Sequence, residues 1–279
     1  MSLKLMYITN NPIVAKIAER AGVNRIFIDM EYIGKEKRQA GLDTVKSYHT
    51  ICDIKRIRTI INTAELLVRV NPIHIESAEY LGSFNEINQA IDAGADILML
   101  PMFTTVEEIK TFINYVGGRA KTMLLVETTE AANIIEDIVK IQGIDEIHIG
   151  LNDLHLALHK KFMFELLADD TVERLCKIIA QKQIPYGFGG IARLGYGDLP
   201  AEYIIAEHYR LGSTMAILSR SFCNANKIKN PEEIEQTFKK GIQLIRDWEQ
   251  KVVLFSEEDF QKNRQIVRQK VNEVVERKR

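Results

Sequence analysis

Short apolar runs alternate with amphipathic stretches from the N-terminus to about residue 218. The runs LKLMYIT, RIFIDM, ELLVRVN, DILMLPM, KTMLLVET, IDEIHIG, IPYGFGG and STMAIL read as strands. Between them, NPIVAKIAERAG, CDIKRIRTIINTA, EINQAIDAG, TTVEEIKTFINYVGG, AANIIEDIVKIQG, LADDTVERLCKIIAQKQ and LPAEYIIAEHYRLG read as helices. The punctuation agrees with the pattern. Asn10 or Asn11 caps the first helix, Pro12 stands near its first turn and Gly22 closes it. Thr104 or Thr105 caps a later one, with Glu107 and Glu108 in its first turn. The segment from Tyr32 to His49 is polar and lacks periodicity; its charge cluster GKEKRQ reads as a solvated loop. A loop of that length after a strand is also a candidate for substrate contact.

The alternation yields eight strand–helix units in 279 residues. That count and length predict a single (β/α)8 TIM barrel rather than an open doubly wound sheet. No G-x-G-x-x-G turn follows the first strand, which argues against a dinucleotide fold. From Asn224 the pattern changes. NPEEIEQTFKKGIQLIRDWEQ opens with Asn230 as cap and Pro231 in the first turn, and Ile234, Phe238, Ile242 and Ile245 share a face. A second helix over 257–277 carries Phe260, Val267, Val271 and Val274 on one side. The expected division is a catalytic barrel over residues 1–223 and a helical extension over 224–279. Its apolar stripes are expected to pack on the barrel or on a neighbouring subunit.

Composition narrows the function classes. A net charge of −1 gives no basic field for nucleic acid, and no apolar run is long enough to span a bilayer. The N-terminus has no signal-peptide organisation, and Cys52, Cys176 and Cys223 are scattered without a C-x-x-C pair. A reducing compartment, the cytoplasm, is expected.

The candidate chemistry sits where strands end. Asp29, Glu31 and Tyr32 follow the second strand, Arg69 and Asn71 the third, Glu127 the fifth and Asp153 the sixth. In parallel βαβ units all these ends point the same way, and in a barrel that end gathers catalytic groups. Alone, Glu127 reads as a solvated loop residue and Asp153 as a helix cap. Together they match what a hard divalent cation needs, few protein oxygens with water and substrate supplying the rest. Mg2+ or Mn2+ is the expected metal. Arg69, in an apolar strand, is expected either to pair with a structural carboxylate or to face a substrate oxyanion. No lysine sits at a strand end in apolar surroundings, which disfavours a Schiff base.

At these residues the chain resembles the HpcH/HpaI aldolase and citrate lyase β-subunit superfamily. FIDMEY, LLVRVN, AIDAGADILMLPM, VETTEAANIIEDIVKIQGIDEIHIGLNDL and YGFGG carry the resemblance, which spans roughly residues 25–220. The acids of its VET and IG-x-ND-L segments lie 26 positions apart. The resemblance implies that Glu127 and Asp153 ligate the metal and that Arg69 meets the keto or enolate oxygen. It also implies that backbone N–H groups around Asn152 and Asp153 take the substrate carboxylate. It implies a trimer or hexamer with exchanged C-terminal helices. Two positions depart from it: Tyr32 stands where the aldolase branch has a histidine base, and Leu125 where a glutamine often precedes the metal-binding Glu. His49, His74 and His155 supply a base only if the fold brings one near. Arg69, Tyr32 and Glu31 are thus the catalytic candidates.

The expected activity is carbon–carbon cleavage of a 2-oxo acid, or a related β-hydroxy acid derivative, through a metal-stabilised enolate. The alternatives are a non-catalytic ligand-binding barrel and a phosphoenolpyruvate-type enzyme on the same scaffold. A small oxo acid is the expected partner, with no nucleic acid and no membrane.

Overall fold

The eight expected strands form. The computed structural model describes residues 2–35, 48–225, 227–228 and 230–278. The strands are β1 (Lys4–Ile8), β2 (Arg25–Asp29), β3 (Glu65–Arg69), β4 (Ile97–Leu100), β5 (Lys121–Val126), β6 (Glu146–Ile149), β7 (Tyr186–Ile191) and β8 (Met215–Leu218). Each pairs in parallel with the next, and β8 pairs with β1, so the sheet closes into a barrel with no edge.

Side-chain alternation sorts each strand into lumen and shell. Met6, Phe27, Leu67, Ile97, Met99, Met123, Leu125 and Met215 fill the lumen as one apolar cluster. Their neighbours in sequence face the helices and form the larger core. Two strands carry charge at both ends of the lumen face. β2 reads Arg25, Phe27, Asp29 and β3 reads Glu65, Leu67, Arg69, and the register sets each opposite its counterpart. An ion layer therefore lies at each end of an apolar middle.

The helices before the carboxy-terminal pair are α1 (Pro12–Arg20), α2 (Ile51–Arg58), α3 (Ser83–Asp92), α4 (Val106–Val116), α5 (Thr129–Asn133), α6 (Ile135–Ile138), α7 (Leu151–Ala157), α8 (Glu165–Ala168), α9 (Thr171–Ala180) and α10 (Ala201–Arg210). Asn11 caps α1, accepting from the Ile13 and Val14 N–H groups, and Pro12 is its first residue. Thr105 caps α4 in a capping box with Glu108.

Three segments differ from the sequence reading. AANIIEDIVKIQG, expected as one helix, breaks at Ile134 into α5 and α6. LNDL, in which Asp153 alone reads as a cap, is itself the first turn of α7. LADDTVERL breaks at Asp170, whose φ of 68° is left-handed, into α8 and α9. Arg264 at 2.7 Å and Arg268 at 2.8 Å fix that break from far along the chain.

The two carboxy-terminal helices are α11 (Pro231–Val252) and α12 (Glu257–Arg277). Asn230 caps α11 as expected, accepting from the Glu232 N–H. α11 lies against α1 and α10, and α12 against α10 and α8, so both use their apolar faces within the chain. Ile234, Phe238, Ile242, Ile245, Val267, Val271 and Val274 are all buried there.

Candidate active site

The strand ends open on a cavity of about 480 Å3 lined by Arg69, Glu127, Asn152 and Asp153. Four residues named from sequence, on three different loops, thus share one chamber at the C-terminal end of the barrel.

Arg69 is held as a fork. Its Nε donates to Asp29 Oδ1 and its Nη2 to Asp29 Oδ2, both at 2.9 Å, and Nη1 lies 3.2 Å from Glu31 Oε2. The expected pairing with carboxylates is present, and Arg69 also lines the cavity. A guanidinium has five N–H donors, and these contacts leave two to spare. Lys35 Nζ adds a contact of 2.5 Å to Asp29 Oδ2. Burial alone would raise the Asp29 carboxyl, yet the Arg69 guanidinium and Lys35 hold it well below the usual carboxylate range. Lys35 is the described part of the charge cluster; residues 36–39 of it lie outside the described residues.

Glu127 follows β5 and is buried. The Met102 N–H donates to its Oε1 at 3.2 Å. Met102 itself has a φ of 52°, a left-handed conformation that costs a non-glycine residue about 1 kcal/mol or more. The other oxygen lies against Gly150, where a Cβ would stand 2.9 Å from Oε2. Gly150 is therefore glycine because the carboxylate occupies its side-chain space. Gly150 is also the N-cap residue of α7, which puts Asn152 and Asp153 in that helix's first turn. Asp153 is not the cap that its G-x-N-D turn suggested. First-turn N–H groups have no partner inside their helix and favour anions.

The two carboxylates fit a hard cation. They come from adjacent loops and offer only oxygen, and the chamber leaves room for water and substrate to complete six ligands. Among the described residues no group of three or more His, Cys, Asp or Glu side chains forms a closed metal cage. An open two-acid site suits Mg2+ better than a zinc cage.

Tyr32 does not line the cavity. Its hydroxyl donates to the His49 carbonyl, and burial raises its pKa. Asn71 is a clamp: its Oδ1 accepts from the Tyr32 and Ile33 N–H groups at 2.8 and 2.9 Å, and its Nδ2 donates to Glu86 Oε1 at 2.9 Å. Of the three conditional histidines, the fold brings in one. His74 is tied to the Pro72 carbonyl and Ser83, and His155 to the Leu151 carbonyl. His49 lines the cavity, and its Nδ1 accepts from the Asp29 N–H at 3.0 Å. A neutral His49 therefore carries its proton on Nε2. Burial keeps it neutral by lowering its pKa, against the pull of Asp29 and Asp53.

Sequence reasoning passed over several lining residues. His148 is one, and the alternation in EIHI, with Ile147 and Ile149 outward, marked it as facing the lumen. Arg220, just past β8, is another; a count of basic residues at strand ends would have found it.

The closed (β/α)8 barrel thus gathers acids and a clamped guanidinium at its C-terminal mouth, the end where barrel enzymes carry their active sites. The chain belongs to the HpcH/HpaI aldolase/citrate lyase family, a family of lyases, whose model matches residues 4–180. In fold it is similar to an HpcH/HpaI aldolase from Desulfitobacterium hafniense DCB-2, with a TM-score of 0.60 and 15% identity over 88% of this chain and 93% of that one. A family protein from Burkholderia cenocepacia J2315 gives 0.60 and 14% over 84% and 95%. The citrate synthase SbnG gives 0.59 and 13% over 86% and 94%. No curated protein sequence matches the chain.

Proposed function

We propose that the protein is a divalent-metal-dependent carbon–carbon lyase that acts on a 2-oxo acid. The observation that carries this reading is the convergence of Glu127, Asp153 and the clamped Arg69 on one cavity. Glu127 and Asp153 would hold Mg2+ or Mn2+, which when bound supplies a Lewis acid for the keto group. The first-turn N–H groups of Asn152 and Asp153 would take the substrate carboxylate.

The remaining work falls to Arg69 and His49. Retro-aldol cleavage sends the electron pair of the broken carbon–carbon bond to an enolate oxygen and the 4-hydroxyl proton to water in the chamber, and the spare N–H donors of Arg69 meet the enolate charge as it develops. Asp29 and Glu31 keep the fork from turning away. His49 presents Nε2–H to the cavity while Tyr32 and Asp29 fix its backbone and ring. In that tautomer it donates to a substrate oxygen rather than accepting a proton. Tyr32 thus acts by positioning His49, and the position taken by a histidine in the aldolase branch serves here to hold another.

The test is Mg2+-dependent release of pyruvate from a panel of 4-hydroxy-2-oxo acids. Glu127→Gln combined with Asp153→Asn is expected to abolish both Mg2+ binding by calorimetry and turnover. Unchanged Mg2+ affinity in that double variant would end the reading.

A further inference from the structure

Glu86 sits in the first turn of α3, outside the barrel, and does not line the cavity. It is nonetheless buried. The fold delivers it to the end of β3. His74 and Ser83 tie the loop between: the Ser83 N–H donates to the His74 carbonyl at 3.1 Å, and the His74 N–H to Ser83 Oγ at 2.8 Å. Just beyond Ser83, Glu86 Oε1 accepts from the backbone N–H of Asn71 at 3.1 Å and from its Nδ2 at 2.9 Å.

That pairing decides which way round the Asn71 amide sits. An amide side chain has donors on one arm and an acceptor on the other. A carboxyl oxygen that faces two donors can only accept, so Nδ2 is held toward α3 and Oδ1 is turned away from it. Oδ1 then meets the Tyr32 and Ile33 N–H groups at 2.8 and 2.9 Å. The Tyr32 hydroxyl donates to the His49 carbonyl, and His49 lines the cavity. The path from helix to cavity runs Glu86, Asn71, Tyr32, His49, and neither of the middle two lines the cavity.

Anchoring a loop does not by itself call for a carboxyl. Glu86 Oε2 is buried with no hydrogen-bond partner, and burial pushes the carboxyl pKa up against the pull of Asn71 and His74. A bare buried oxygen is costly, and a neutral acceptor would meet the same two donors at lower cost. What a carboxylate adds is strength, since hydrogen bonds to an ionised acceptor are roughly twice as strong as neutral ones. That strength suits the far end of the path, where a donor that meets a substrate oxygen has to be placed to within about 0.5 Å.

We propose that Glu86 is a positioning residue for the reaction: through the Asn71 amide and the Tyr32 ring it sets where His49 presents Nε2–H in the cavity. The inference rests on the lyase reading, in which that donor meets a substrate oxygen, and adds to it a residue that never touches substrate.

A double-variant cycle on pyruvate release tests it. Glu86→Leu takes the acceptor from both Asn71 donors, and kcat is expected to fall about ten-fold, the scale of one charge-assisted hydrogen bond. Glu86→Gln keeps a neutral acceptor and is expected to lose less. On a His49→Phe background Glu86→Leu is expected to cost nothing further, because its effect passes through His49. Mg2+ affinity by calorimetry is expected to match the parent in both Glu86 variants, since Glu127 and Asp153 stand on other loops. A second readout needs no turnover. The imidazole nitrogen NMR signals of His49, assigned by their loss in His49→Phe, are expected to report Nε2–H in the parent and to move toward mixed tautomers in Glu86→Leu. Undiminished kcat in Glu86→Leu, equal loss in Glu86→Leu and Glu86→Gln, weakened Mg2+ binding, unmoved His49 signals, or a full loss added to that of His49→Phe would each make Glu86 structural only and leave the lyase reading intact. A parent that releases no pyruvate, with His49 signals that move in Glu86→Leu, keeps the positioning and ends the lyase reading. No pyruvate and unmoved signals overturn both.

Discussion

The two ends of the barrel are built from the same parts and do different things. At the N-terminal end Arg25 sends Nη1 and Nη2 to Glu146 at 2.6 and 2.7 Å and Nε to Glu65 at 2.8 Å. At the C-terminal end Arg69 sends Nε and Nη2 to Asp29 and Nη1 toward Glu31. Each guanidinium thus spends the same three nitrogens on two carboxylates. What differs is the far side. Arg25 is fully buried, and lysines at the rim close off its acids, Lys121 on Glu65 and Lys4 near Glu146. Arg69 faces a chamber. A paired arginine is therefore no evidence of function by itself; the open volume beside it is.

Arg25→Met tests the closed end and should have the largest effect. It leaves Glu146 buried without its fork, at a cost of about 3–5 kcal/mol in unfolding free energy. The folded fraction should turn over normally. Urea unfolding within about 1 kcal/mol of the parent would mean that the N-terminal layer is dispensable.

Arg69→Lys tests the open end. A lysine keeps the charge and loses the planar fork to Asp29. The expected loss is about 2–4 kcal/mol in the barrier, read from kcat at saturating substrate. The stability loss should be smaller than for Arg25→Met, because the lysine keeps a positive charge and Lys35 still pairs with Asp29. Normal turnover in a variant that melts early would make Arg69 a strut like Arg25.

The effect that is smallest per residue lies between the two ends. His148 and His208 are fully buried, and burial lowers their pKa values to about 4 and about 3. His148 Nε2 donates to the Gly189 carbonyl at 3.2 Å, and His208 stacks on Phe188 with centroids 3.8 Å apart. Unfolding lets both rise to an ordinary value near 6.5. Between that value and their folded ones the unfolded chain binds more protons, so stability falls as pH falls. From pH 7.5 to pH 5 each histidine should cost roughly 2 kcal/mol. His49, lowered as well, adds in the same direction. Asp29 titrates far below this window and leaves it clean. An unfolding free energy that stays flat from pH 7.5 to 5 would contradict the burial argument, and His208→Gln should flatten it in part.

The open end was more legible than the closed one. Asp29, Arg69, Glu127 and Asp153 stood out because strand ends are marked by a change from apolar to polar, and topology then brings such ends together. Arg25 and Glu65 open their strands and Glu146 stands in a short one, positions where a charge reads as ordinary solvation. His49 was nameable but not placeable: nothing in the polar stretch before it encodes a return to Asp29. The Asp170 break was unreadable for the same reason, since its partners Arg264 and Arg268 lie about a hundred residues away in sequence. The capped helices α1, α4 and α11 were readable because a cap is a local device. α5 and α6 carry no local signal for their break.

The opposed charges on β2 and β3 also have a consequence for how the barrel assembles. A slip of one residue between neighbouring strands is punished at once, because it turns every apolar side chain to the wrong face. A slip of two keeps inside residues inside, and hydrophobicity alone tolerates it. Here such a slip would set Arg25 beside Leu67, Phe27 beside Arg69 and Asp29 beside Asn71, stranding charges at both rims. The pairs Arg25–Glu65 and Asp29–Arg69, of inverted polarity, thus work as a two-tooth key that admits one stagger of the closing sheet.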